Sequence, residues 1–130
     1  MSKYHSKRII INRETFDSKK EALRFKELCF MQRAGRISNL QRQVKYVLIP
    51  AQHEKTNEIY TKGARKGEYK DGKLLERECA YYADFVYIDC RTGETVVEDV
   101  KGYRGGEAYA IFKLKKKLML YVHKIKVKEV

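Results

Sequence analysis

The chain is poor in the residues that build disulfide scaffolds, zinc sites or membrane spans. Its three cysteines, Cys29, Cys79 and Cys90, are odd in number and far apart. That pattern excludes a disulfide framework and suits a reducing compartment. His5, His53 and His123 are equally scattered, so no Cys/His zinc spacing arises. No apolar run has the length of a membrane helix, and no signal-peptide pattern opens the sequence; a cytoplasmic location is expected. There is no internal repeat and no sequence-reading DNA motif. Acids are the scarcer charge: 17 Asp and Glu stand against 29 Lys and Arg, a net charge of +12. An excess of that size, beside ten tyrosines, favours a polyanionic partner through phosphate contacts and counterion release.

At 130 residues the chain is read as a single domain, 1–130, large enough for a core. Residues 1–7 are polar and basic. Arg8-Ile9-Ile10-Ile11 reads as a strand, turned by Asn12-Arg13-Glu14 into a short return at Thr15-Phe16. Asp17-Ser18 opens a helix that runs to about Ala34 and is closed by Gly35. Ile37-Ser38-Asn39-Leu40 reads as a linker, and Val44 to Ile49 as a strand ended by Pro50. Residues 51–73 hold Lys55, Lys62, Arg65, Lys66, Lys70 and Lys73 with three glycines. This insertion is read as a basic hairpin arm, with Ile59-Tyr60 and Glu68-Tyr69 as strands, that tracks phosphates without reading bases. The other reading is a solvated loop. Leu74 to Ile88 reads as a long strand whose first half, Leu75, Arg77 and Cys79, is open to a second reading as an extension of the arm; Glu107 to about Leu120 reads as a helix, and Tyr121 to Val130 as a half-exposed edge strand.

The chemistry concentrates at Val96-Val97-Glu98-Asp99-Val100-Lys101-Gly102. Strand alternation puts Asp99 and Lys101 on one face and Glu98 on the other. Glu98 is therefore read as a surface or interface residue. Upstream, Asp84 is the only charge between Glu78 and Asp89. The connector Asp89–Glu94, with Gly93, suits a hairpin turn. Pairing of the two strands brings Asp84 and Asp99 together beside Lys101. Close carboxylates raise each other's pKa unless a cation lies between them. Hard oxygen ligands suit Mg²⁺ or Mn²⁺, which is the layout for metal-assisted phosphodiester hydrolysis.

With Asp84 followed by Asp99-Val100-Lys101, the chain resembles the PD-(D/E)XK nuclease superfamily, with Ala83 where that superfamily loosely keeps a proline. Over most of its length it is similar to a small phage-encoded group of that superfamily. This group has long been catalogued as a domain of unknown function and is related to Holliday junction resolvases. The segments carrying the closer match are Phe16–Ala22, Gly35–Leu40, Ala83–Phe85 and Val97–Gly102. The resemblance implies an α/β, restriction-endonuclease-like core: a central mixed β-sheet flanked by helices, here with the basic arm inserted. It implies a Mg²⁺-dependent (or Mn²⁺-dependent) endodeoxyribonuclease with Glu21, Asp84, Asp99 and Lys101 as catalytic residues. Asp84, Asp99, Glu21 and the Val100 carbonyl would be the metal ligands. In the superfamily it resembles, a helix in this place often presents a Lys or Gln to the scissile phosphate, which points to Lys113 and Lys117, with Lys116 behind. Lys62, Arg65, Lys66 and Arg104 are further candidate DNA contacts.

Glu21 also has a structural reading, because Ser18-x-x-Glu21 is a capping box in which Glu21 folds back on the helix start. Gln43 is read either as facing the site or as an edge polar residue. Kinship with resolvases implies branched DNA, a homodimer and the host-cell cytoplasm. The alternative is a non-catalytic basic DNA-binding protein that retains the fold.

Overall fold

The computed structural model describes residues 9–11 and 14–130. The expectations for residues 1–7 and for the turn at Asn12-Arg13 lie outside the described residues. Strands β1 (Ile9–Ile11) and β2 (Glu14–Phe16) pair antiparallel. Helix α1 (Lys19–Arg33) follows, then β3 (Ile37–Ile49), β4 (Gln52–Ile59), β5 (Tyr69–Glu76), β6 (Cys79–Asp89) and β7 (Thr95–Asp99). Helix α2 (Gly106–Leu118) continues into a π-helical turn, Met119–His123, and the short strand β8 (Lys128–Glu129) closes the order. A four-stranded sheet runs β3-β6-β7-β8, with β6–β7 antiparallel and β7–β8 parallel. The protein is thus an α/β structure with a mixed sheet flanked by helices.

Two compact units divide the chain: Val47–Tyr81, and the remainder up to Tyr46 and from Tyr82. The larger unit has its core on the α1 side of the sheet. Phe16, Ala22, Phe25, Leu28, Ile37, Phe85 and Tyr87 are buried together there. The rings of Phe16 and Phe25 lie 5.1 Å apart and those of Phe25 and Phe85 6.3 Å apart, so β2, α1 and β6 share one aromatic stack. Each such ring contributes about 1.5–3 kcal/mol by leaving water. Ser18 caps α1 by accepting from the Glu21 N–H at 3.1 Å. Gly35 ends the helix at φ +77°, a left-handed conformation that disfavours any residue with a Cβ.

The smaller unit is an antiparallel β4–β5 hairpin with several register shifts. It includes the expected contact at its tip, where the Tyr60 N–H donates to the Glu68 carbonyl at 2.9 Å. The strands extend well beyond the two dipeptides foreseen. At Gly72 a Cβ would stand 2.6 Å from the Glu54 carbonyl oxygen, so the close approach of β4 and β5 needs a glycine there.

Three expectations are corrected. Residues 37–40 are not a linker but the start of β3. Asn39 takes φ +54° within the strand, and the Leu40 N–H is satisfied by the Gln32 side chain at 2.9 Å. The strand expected over 74–88 is broken at Arg77-Glu78: its start extends the arm as β5, and β6 begins at Cys79. The strand expected over 121–130 is reduced to β8, because the helical path persists to His123 and turns at Lys124, φ +60°.

Candidate active site

β6 and β7 pair with Phe85 opposite Glu98 and Val86 opposite Val97. Alternation from that register gives β7 two unlike faces. On the α1 face, Val96 and Val100 pack on the core cluster. On the other face, the Lys101 ammonium stands 2.8 Å from Asp99 Oδ1 and 3.7 Å from the centre of the Phe112 ring of α2. Asp99 is 5% exposed, so this ion pair is largely shielded from solvent.

Asp84 is drawn into the same site from β6. Its Oδ2 accepts the Val100 N–H at 2.8 Å and its Oδ1 accepts from the Gln43 amide at 3.2 Å. Burial, then the charge of Asp99 and, more weakly, that of Glu21, push its carboxyl up to about 7, against the opposing Val100 and Gln43 hydrogen bonds. Two hydrogen bonds to the charged form would ordinarily lower a carboxyl. Here burial and the neighbouring acids win.

Glu21 completes the group from the first turn of α1. It is 7% exposed. Its Oε1 accepts from the same Gln43 amide at 3.3 Å and lies 3.6 Å from the Arg42 guanidinium. Its pKa is raised, chiefly by burial, with Arg42 opposing. Of the capping box only the Ser18 half is formed, and the Glu21 side chain turns to Gln43 and Arg42 instead.

The structure therefore gathers Glu21, Asp84, Asp99 and Lys101 into one network with Gln43 and the Val100 amide. A profile described as a protein of unknown function (DUF1064) matches residues 1–129. The chain belongs to the DUF1064 family. No curated protein and no solved structure matches it.

Among the described residues of this DUF1064 member, no three His, Cys, Asp or Glu side chains are placed to hold a metal ion by themselves. Asp84 and Asp99 do offer two hard oxygen donors, and burial with the neighbouring charge of Asp99 makes the ionised Asp84 costly. The pair fits a hard divalent cation that takes its other ligands from main chain, water and phosphate, the habit of Mg²⁺.

Lys113 and Lys117 line a 270 Å³ groove with Lys116, Leu120, Lys126 and Glu129. The α2 residue in contact with Lys101 is Phe112. Arg104 is engaged by Glu129 at 3.3 Å; Glu129 is also held by Lys116 at 2.7 Å and Tyr109 at 2.8 Å. Those hydrogen bonds, that of Lys116 first, pull the Glu129 carboxyl down to about 2. At the hairpin tip, Arg65 is bound to Glu68 at 2.9 Å and Asp71 at 3.4 Å, and covers the Tyr60 ring at 4.8 Å. Among the described residues neither Lys62 nor Lys66 has an ionic partner.

Glu98 corrects its expectation outright. It is 0% exposed and accepts a bidentate pair from Arg24, at 2.9 and 2.7 Å, and a bond from the Tyr87 hydroxyl. Alternation rightly turned it away from Lys101, but that face is the core and not the surface. Sequence reasoning also missed Arg42, and Lys20, whose ammonium donates to the Lys101 carbonyl. The one sequence signal for either is adjacency, Lys20 to Glu21 and Arg42 to Gln43.

Proposed function

We propose that the protein is a divalent-metal-dependent DNA endonuclease with a restriction-endonuclease-like core, acting on branched DNA as a homodimer in the host-cell cytoplasm. The observation that carries this reading is the Asp84–Asp99–Lys101 group: two close carboxylates on paired strands, one raised to about 7, beside a half-buried ammonium. The likeness to PD-(D/E)XK nucleases and junction resolvases supplies the rest.

Mg²⁺ or Mn²⁺ held by Asp84 and Asp99, with the Val100 carbonyl and Glu21 as further candidates, would supply Lewis acidity toward phosphate and water. The chain's own residues supply the positioning. Lys101 neutralises Asp99 in the cation-free site. With a cation held by Asp99, the Lys101 ammonium would be free to hold a water or a phosphate oxygen in line with phosphorus. Lys20, on the Lys101 carbonyl, keeps that segment in place. Glu21 accepts hydrogen bonds and can hold the proton of an incoming water. Lys113 and Lys117, in their basic groove, would bind the DNA backbone, as would Lys62 and Lys66 on the hairpin.

A non-catalytic DNA-binding protein is favoured by one observation: Lys101 already fills the place of a cation at Asp99. The deciding experiment is cleavage of a labelled four-way junction, linear duplex and single strand with Mg²⁺, for wild type, Asp99→Asn and Lys101→Ala. Junction-selective cutting lost in both variants is expected. Comparable cutting of all three DNAs would sink the branched-substrate reading. No cutting with any divalent metal, with binding intact, would establish the non-catalytic one.

A further inference from the structure

Gln43 lies in β3 at φ +50°, a conformation that residues with side chains rarely adopt in a strand. In a regular strand Arg42 and Gln43 would point to opposite faces. Here both reach the same oxygen, Glu21 Oε1, and the Gln43 amide also reaches Asp84 Oδ1. The left-handed residue is what breaks the alternation. Strained backbone of this kind tends to gather at functional sites, where it holds side chains that a relaxed strand would misplace.

The chemistry of the contact is specific. An amide nitrogen has two N–H donors, and each finds a carboxylate from a different element, α1 and β6. The two acids are thereby held apart by a fixed spacer, each keeping its second oxygen for other partners. Asp84 uses its second oxygen for the Val100 N–H. Hydrogen bonds to ligating carboxylates fix their orientation and typically matter 10–100-fold in metal affinity.

We infer that Gln43 is a positioning residue, which sets Glu21 and Asp84 at the separation that the divalent-cation site requires. This rests on the metal-dependent reading above. Its test is Mn²⁺ binding by calorimetry to the intact protein, without DNA, for wild type, Gln43→Met and Gln43→Gly. Methionine keeps the length and loses the amide; glycine relieves the backbone and loses the amide. Both variants should melt within a few degrees of wild type and bind Mn²⁺ on the order of 10–100-fold more weakly. The Mg²⁺ concentration for half-maximal cleavage should rise in parallel, with the saturated rate much less affected. Wild-type Mn²⁺ affinity in either folded variant overturns the role of Gln43 while leaving the metal reading standing. No Mn²⁺ uptake by the wild type overturns both.

Discussion

Asp84 is a carboxyl that folding makes harder to ionise, and this has a definite sign. Its pKa rises from 3.8 to about 7, through burial first and Asp99 second. The folded state therefore binds the proton more tightly than the unfolded state does. Stability from this group is greatest below pH 3.8 and falls as pH climbs toward 7. Asp84→Asn removes the ionisation while keeping an oxygen for the Val100 N–H. It should stabilise the metal-free protein at pH 8, on the order of 1–3 kcal/mol after allowance for solvent screening, and much less at pH 4. Chemical denaturation at the two pH values measures this; an equal effect at both would exclude Asp84 as the source. A divalent cation bound as proposed would work against the same penalty. Mg²⁺ or Mn²⁺ should raise the melting temperature at pH 8 far more than at pH 5, where protons compete for Asp84, and Asp84→Asn should abolish the difference. At this scale the grouping was legible wherever alternation alone decides it: that Asp84, Asp99 and Lys101 come together follows from two strands and a turn. Gln43 was left between the site and a strand edge, because its place depends on its own left-handed backbone, which no periodicity announces.

Between elements, the strongest polar link described is Arg24 of α1 with Glu98 of β7. Glu98 is wholly buried, and the Tyr87 hydroxyl adds a third bond; burial and that bond raise the Tyr87 pKa. A buried carboxylate deprived of its guanidinium is an unpaired charge, so Arg24→Ala should cost roughly 3–5 kcal/mol. The double change Arg24→Met with Glu98→Met removes both charges and should recover most of that loss, as urea unfolding would show. A double mutant no more stable than Arg24→Ala would mean that the pair is needed for more than its own neutrality. The same elements show where local sequence suffices. α1 has a serine cap, an apolar stripe and a glycine stop, all short-range signals, and it stands within a residue or two of expectation. The start of β3 was hidden because Ser38 and Asn39 are turn-forming types. Its continuity depends on the Gln32 side chain from α1, a contact visible only after folding. The end of α2 was hidden because Ile125 and Val127 alternate like a strand, while the helix runs on through a π-turn to Lys124.

For the whole molecule, net charge decides affinity only where cations are free to meet phosphate. The charge of +12 overstates the cations available for that. Arg24, Arg42, Arg65, Lys101, Arg104 and Lys116 are each engaged by a carboxylate within 4 Å. Among the described residues no carboxylate so engages Lys62 or Lys66 on the hairpin, whereas Arg65 between them is tied to Glu68 and Asp71. The three tip residues, alike in sequence, should therefore behave differently. If the protein binds DNA as proposed, Lys62→Ala with Lys66→Ala should weaken that binding similarly on every sequence and flatten the slope of log affinity against log salt by about 2. Arg65→Ala should leave that slope nearly unchanged and instead loosen the hairpin, detectable as faster amide exchange at Tyr60 and Gly67, whose N–H groups close the tip. Fluorescence anisotropy across a salt series measures the first effect and hydrogen exchange the second. Equal loss of slope on removing Arg65 would show that DNA displaces its acidic partners on binding, and the hairpin would then count three phosphate contacts instead of two.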